Sequence, residues 1–305
     1  MSLLSFVPAR HHRGAAGLCN GPDGKIWFAE RGAERIGSIT ASGKITEFSA
    51  GISADSAPAD VTSAPDGNIW FVEERGSRIG RITTSGVVTE FSRGLTRGSR
   101  PTSITDGPDG NLWFTESAIG AIGRTTRGGI VTEFRNGIAV GSAPQRITVG
   151  PDGALWFTER AGIARITISG HVTEFRRDIQ RWGSPADLSR GGDGAIWFTE
   201  PTTNKIRRLS LTGAVRRFSV KTHNAKPYAI TLGTDGNLWF TERAANRIGR
   251  ITLSGKVTEF EHGITKRAGL ADITADRRGN IWFTEEGADR IGRLDAAGHI
   301  KGFLL

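Results

Sequence analysis

Along this chain a short polar turn, an apolar Trp-Phe pair and a closing carboxylate recur at even intervals. The stretches are GPDGKIWFAE (21–30), APDGNIWFVE (64–73), GPDGNLWFTE (107–116) and GPDGALWFTE (150–159). The pair falls at Trp27, Trp70, Trp113, Trp156, Trp197, Trp239 and Trp282, with spacings of 43, 43, 43, 41, 42 and 43. A fixed period of this length is the mark of a repeat architecture. Seven units account for the chain, and no linker or low-complexity stretch interrupts them.

Each unit holds four short segments of alternating character, and none shows a sustained helical apolar period. In the third unit PTSIT (101–105) leads to the turn Asp109-Gly110, then NLWFTE, then AIGRTT, a second turn at Gly128-Gly129, and IVTEF. Asp-Gly between alternating runs is a favoured two-residue hairpin turn because it accepts positive φ. It occurs in six units, and Arg278-Gly279 replaces it in the last. Four antiparallel strands at this period predict an all-β, seven-bladed β-propeller of four-stranded antiparallel blades, a single domain over residues 1–305.

Strand alternation places Trp and Phe on opposite faces, so each blade feeds both of its blade-to-blade interfaces. MSLLSF at the start and GHIKGF near the end both align with the outer-strand segment GKITEF, so either end offers the outermost strand of the last blade. The closing glutamates (Glu30, Glu73, Glu116, Glu159, Glu200, Glu242, Glu285) occur in every blade. Seven equivalent carboxylates cannot all serve one asymmetric substrate, so they are assigned to structure, as hydrogen-bonding groups at the upper edge of each blade.

Composition narrows the class. An apolar fraction of 37% with 8% aromatics is enough for a core and too much for a disordered chain. There is no apolar run of about 18 residues, so no membrane span is expected. The opening MSLLSFVPARHHRG lacks the features of a signal peptide, which predicts a cytoplasmic protein. The one cysteine, Cys19, excludes an internal disulfide framework and a Cys-based zinc site. The net charge of +9 favours anionic partners in general. Nucleic acid is not expected, because base stacking needs several exposed aromatics. A propeller closed on itself leaves no exposed sheet edge that demands a partner, so a monomer is expected.

The repeat GPDGNLWFTE…RIGRIT…SGKVTEF resembles the virginiamycin B lyases, also called streptogramin lyases, over nearly the whole chain. The resemblance implies a seven-bladed propeller that opens cyclic streptogramin B depsipeptides by elimination at the ester, with a divalent metal, usually magnesium. It also implies histidines just after a proline at the start of the inner strands of the last two blades, assisted by a glutamate after the last Trp-Phe pair. Here KPYAIT puts Tyr228 at the first histidine position. GLADIT puts Ala271 at the second, with Leu270 in place of its proline. Ala16 stands where the resemblance implies a substrate-contacting aromatic, and Glu286 matches the glutamate.

Function is expected where the blades differ, at the funnel formed by the inner-strand starts and the loops leading into them. After the proline position the blades carry Ala16, Ala59, Thr102, Gln145, Ala186, Tyr228 and Ala271. The next position reads Gly17, Asp60, Ser103, Arg146, Asp187, Ala229 and Asp272. One arc supplies Gln145, Arg146 and Asp187, with Trp182 in the loop entering blade five, as the expected substrate-binding set. Tyr228, the only tyrosine, joins them there. The opposite arc carries Asp60, Asp272, Glu74 and Glu286, which repel one another unless a cation or arginine compensates. Oxygen-only ligands suit Mg²⁺ or Ca²⁺, so Asp60, Asp272 and Glu74 are the candidate metal ligands; Arg31, Arg75 and Arg290 are the alternative compensating charges. Candidate acid–base groups are Glu286, Tyr228 and the loop histidine His223, ahead of His11, His12 and His262.

Three functions fit these features. The first is a carbon–oxygen lyase opening a cyclic ester in the funnel with Mg²⁺. The second is a non-catalytic propeller binding a small molecule or cyclic peptide. The third is a lactonase-like hydrolase in which a channel metal activates water.

Overall fold

The computed structural model describes residues 13–176, 179 and 184–305. They form seven four-stranded antiparallel sheets set in a ring, each with its strands in simple chain order. Blade three is typical, with strands Pro101–Asp106, Leu112–Glu116, Ala121–Thr125 and Val131–Phe134. The first strand of each blade lies innermost, against the first strands of its neighbours around the central channel. The only helix among the described residues is the single 3-10 turn Glu286–Ala288.

The core lies between blades. Trp113 packs into blade four with Leu155 and Phe157, while Phe114 packs into blade two with Trp70 and Ile79. The tryptophan also stacks on the outer-strand phenylalanine of its own blade in all seven units, as in Trp113–Phe134 with centroids 5.3 Å apart. Four blades then lay an arginine across this pair, such as Arg124 at 5.5 Å from the Trp113 ring.

The Asp-Gly turn does more than reverse the chain. Asp109 Oδ1 accepts the indole N–H of Trp113 at 2.9 Å, and the turn aspartates of the first six blades repeat this bond. A buried indole needs an acceptor. In blade seven, where Arg278 occupies the turn, Asp276 takes over as acceptor for Trp282 at 2.9 Å. Gly107 must be glycine here, since a Cβ would fall 2.3 Å from the Trp113 ring.

The ring closes through the C-terminal alternative. The outermost strand of blade seven is Ile300–Leu304, so this blade is built from contiguous chain. MSLLSF lies outside the described residues. Blade seven meets blade one through Leu18 N–H to Asp272 (2.7 Å), Asn20 Nδ2 to the carbonyl of Ala275 (2.8 Å), and Trp282 packed among Ala15, Leu18 and Phe28.

The closing glutamates are structural groups of an unexpected kind. All seven are buried. In blades one to four and six each lies close to the glutamate of the outer strand, so two carboxyls meet in the interior. Burial, reinforced by Glu90, pushes Glu73 up to about 8; burial with Glu133 and Glu259 does the same to Glu116 and Glu242, both to about 8. In blades two, three and six one member of the pair therefore holds a proton near neutrality. Blade five solves the same problem with opposite charge, since Arg207 bonds Glu200 at 2.6 Å with both side chains buried.

Candidate functional site

The tops of the inner strands and the turns that follow the second strands enclose a funnel of about 440 Å³. Its wall alternates cations and carboxylates. Arg31 and Arg100 both bond Glu74, Arg100 Nε at 3.1 Å. Arg243 Nη2 donates to Glu286 Oε2 at 2.8 Å, and its guanidinium lies over the Tyr228 ring, 5.0 Å from the centroid. Tyr228 is half-buried, and no described protein group hydrogen-bonds its hydroxyl. Gln145 and Thr102 face the same space, and Ala16, Ala59 and Ala271 leave its floor roomy. A shallower recess of about 490 Å³ continues over the rim, sharing Arg31, Arg243 and Glu286 and adding Arg75.

Below the funnel the channel narrows at Arg146. Its guanidinium lies 3.7 Å from Asp60 Oδ2, and Asp272 and Asp187 also act on it, which together raise its already high pKa despite burial. Each of the three aspartates reaches across to the next blade. Asp60 accepts from Ser103 Oγ (2.7 Å) and Ile104 N–H (3.1 Å), Asp187 from Ile230 N–H (2.8 Å), and Asp272 from Leu18 N–H (2.7 Å). A second cavity of about 290 Å³ opens beneath, lined by Cys19, Thr62, Ser103 and Thr274.

The structure therefore distributes the sequence-predicted residues over two levels. Tyr228, Glu286, Gln145, Arg146, Glu74 and Asp272 line the funnel. Asp187 and Asp60 line the lower cavity, with Arg146 and Asp272 common to both levels. His223 is exposed in the loop before the inner strand Pro227–Leu232 and is not part of the funnel lining; its neighbour Thr222 bonds the outer-strand Glu259. His262 faces an outer recess with Lys221 and Arg247. Trp182, His11 and His12 lie outside the described residues.

The carboxylates do not fit magnesium. Among the described residues no three His, Cys, Asp or Glu side chains gather as metal ligands would. Glu74 is held between two arginines in the funnel, whereas Asp60 and Asp272 are engaged by Arg146 and backbone N–H groups one level down. Of the three arginines expected to compensate these charges, Arg31 pairs with Glu74. Arg290 bonds the carbonyl of Gly302 instead, and Arg75 pairs with no carboxylate among the described residues.

Sequence reading missed Arg243 and Ser117, and a signal for both was present. The position just after the closing glutamate reads Arg31, Glu74, Ser117, Arg160, Pro201, Arg243 and Glu286. Five of these seven line the funnel. Glu74 and Glu286 were recognised as carboxylates, but the shared repeat position that brings Arg243 beside Glu286 was not.

A family model described as the virginiamycin B lyase family matches residues 2–137 and 52–305. A streptogramin B lyase structure is 35% identical with a TM-score of 0.86, covering 94% of this chain and 94% of that one. A catalytically inactive histidine-to-alanine variant of virginiamycin B lyase from Staphylococcus aureus, in complex with quinupristin, is 38% identical with a TM-score of 0.86, covering 94% and 96%. The hydrazine synthase of Kuenenia stuttgartiensis has a TM-score of 0.71 at 13% identity, covering 100% and 99%, which is a likeness of fold alone. No curated protein sequence matches the chain.

Proposed function

This chain belongs to the virginiamycin B lyase family, and from that premise we propose that its funnel opens a cyclic ester by elimination, with Tyr228, Arg243 and Glu286 as the working group. One observation carries the reading: the residue at the first family histidine position and the matching glutamate are joined through a single guanidinium in one funnel wall. In the proposed step the Tyr228 phenolate oxygen takes the proton from the carbon beside the ester-bearing carbon. The C–H electron pair becomes the new double bond, the C–O bond breaks, and the departing carboxylate keeps its electron pair. No water is added. Arg243 supports this in two ways: its guanidinium packs over the ring and fixes the ring's place in the funnel wall, and its donors not used by Glu286 face the negative charge that develops on the substrate carbonyl. No step runs through a metal, because the carboxylates that would hold one are committed to arginines.

A second reading is a binding propeller without turnover. It is favoured by Ala271 and Tyr228 at the two family histidine positions and by the absence of any described histidine from the funnel lining. Both readings place a small molecule or cyclic peptide in the same funnel.

Incubation with quinupristin and with simple lactones, with Mg²⁺ and with EDTA, followed by mass spectrometry, separates them. A ring-opened product of unchanged mass in EDTA supports the elimination. An added water indicates hydrolysis instead. Unchanged substrate in both buffers sinks the lyase reading. Tyr228 is the only tyrosine in the chain, so its nitration by tetranitromethane reports on the funnel directly, and protection by an unreacted ligand would establish binding.

A further inference from the structure

The second position after the closing glutamate reads Gly32, Ala118, Ala161, Thr202, Ala244 and Gly287 in six blades and Arg75 in blade two. Only blade two places a charge there. The backbone under that charge is pinned. Glu74 N–H donates to the carbonyl of Ala57 at 3.1 Å, and the N–H groups of Arg75 and Gly76 both donate to the carbonyl of Ser56, at 3.1 and 3.2 Å. The exposed Arg75 side chain therefore leaves from a fixed point of the rim, and it lines the recess of about 490 Å³ that continues the funnel.

The carboxylates near this recess are already taken. Glu74 bonds both Arg31 and Arg100, and Glu286 accepts from Arg243 at 2.8 Å. Glu34 lines the recess as well, but among the described residues it joins neither Arg75 nor Arg31 in an ion pair. The arginines also act on one another. Burial pulls Arg31 below its ordinary value, Glu286 opposes this, and the like charges of Arg100 and Arg75 add to the lowering. An anion entering here meets one cation without a carboxylate partner and a second crowded by like charge. Gly14, Gly32, Gly269 and Gly287 bring no side chains into the space.

We infer that Arg75, with Arg31 in the same recess, forms an oxyanion subsite at the funnel rim that takes a carboxylate carried by the ligand whose body fills the funnel. A guanidinium presents parallel N–H donors that match the two oxygens of a carboxylate. The subsite rests on the reading of the funnel as the ligand site and deepens it, whether the ligand is opened or only bound. It narrows the ligand class to an ester or cyclic peptide with a free carboxylate that projects over the rim. Tyr228 does not line the recess, so the subsite positions the ligand and takes no part in proton transfer.

The test titrates the full chain with citrate and with inorganic phosphate at constant ionic strength, by isothermal titration calorimetry. Wild-type protein should bind citrate at one site and phosphate more weakly. Arg75→Ala should weaken citrate binding by about tenfold or more, as for the loss of a charge-assisted hydrogen bond, and Arg75→Lys should recover part of it. Arg160→Ala lowers the net charge equally from an exposed position that lines neither the funnel nor the recess, and should bind citrate like wild type. A second arm compares a γ-lactone carboxylate with its methyl ester as substrates. Arg75→Ala should raise KM for the acid by about tenfold with kcat unchanged, and leave the methyl ester unaffected. Failure to open either lactone bears on the reaction alone, because the citrate titration decides the subsite without turnover. The subsite is ruled out if wild-type protein does not bind citrate, if Arg75→Ala binds it as tightly as wild type, or if Arg160→Ala weakens it equally. Phosphate binding without citrate binding would overturn the carboxylate assignment.

Discussion

Arg243 and Glu286 occupy the same position of the repeat in adjacent blades, 43 residues apart in sequence, and their side chains meet at 2.8 Å in the funnel wall. A position that is equivalent in every blade thus becomes a complementary pair at only two of the blade junctions, here and at Arg31–Glu74. That local break of symmetry gives a seven-fold scaffold the asymmetry a single substrate requires.

Tyr228→Phe removes one oxygen and leaves the ring under Arg243. If Tyr228 moves the proton, turnover of an opened ester should fall by about 10²-fold or more with KM little changed. Steady-state kinetics check this, and an unchanged kcat would remove Tyr228 from the chemistry.

Arg243→Met should weaken catalysis by about 10²-fold, since it withdraws the charge facing the developing oxyanion. Glu286→Gln should do less, because it keeps an acceptor for Arg243 and alters only its charge. Equal losses in the two variants would assign Glu286 a direct part instead of a positioning one.

Asp109→Ala should destabilise the protein by about 1–3 kcal/mol, because it leaves the buried indole N–H of Trp113 without an acceptor. Chemical denaturation measures it. Asp276→Ala in blade seven should cost a similar amount although Asp276 lies outside the Asp-Gly pattern; a negligible effect there would show that the indole bond is not what the turn aspartates contribute.

Stability should fall as pH rises through neutrality. Glu73, Glu116 and Glu242 hold protons in the folded state up to about 8, whereas in the unfolded chain they ionise near the ordinary value of about 4.5. Below both values the protonated carboxyls contribute equally to the two states. Between them the unfolded chain has lost its protons and the folded one has not, so stability drops across roughly pH 4.5–8 and then levels. Glu73→Gln should flatten part of this decline and raise the melting temperature at pH 8.5. Glu200→Gln should instead destabilise, by about 3 kcal/mol, because it breaks the buried pair with Arg207. Thermal melts from pH 5 to 9 test both, and identical profiles for wild type and Glu73→Gln would rule out the shared-proton arrangement.

The sequence by itself determined the ring. Trp113 and Phe114 differ by one strand position, so alternation alone sends them to opposite interfaces, and the period of about 43 residues repeats that instruction seven times. The hairpin turns were equally legible, because Asp-Gly reports a local backbone requirement. Tertiary structure alone decided what depends on the meeting of different blades. The choice of Ile300–Leu304 as the outer strand of blade seven needed the closed ring, since two segments carried the same pattern. Glu73 reads as a hydrogen-bonding group at the blade's upper edge until the fold buries it beside Glu90. Asp60, Asp272 and Glu74 read as one acidic cluster, yet the ring sets Glu74 among funnel arginines and leaves the two aspartates at the waist around Arg146. A repeat period fixes which positions are equivalent within blades. Which side chains touch across the channel is set by distances through space, and these exist only once seven blades have closed.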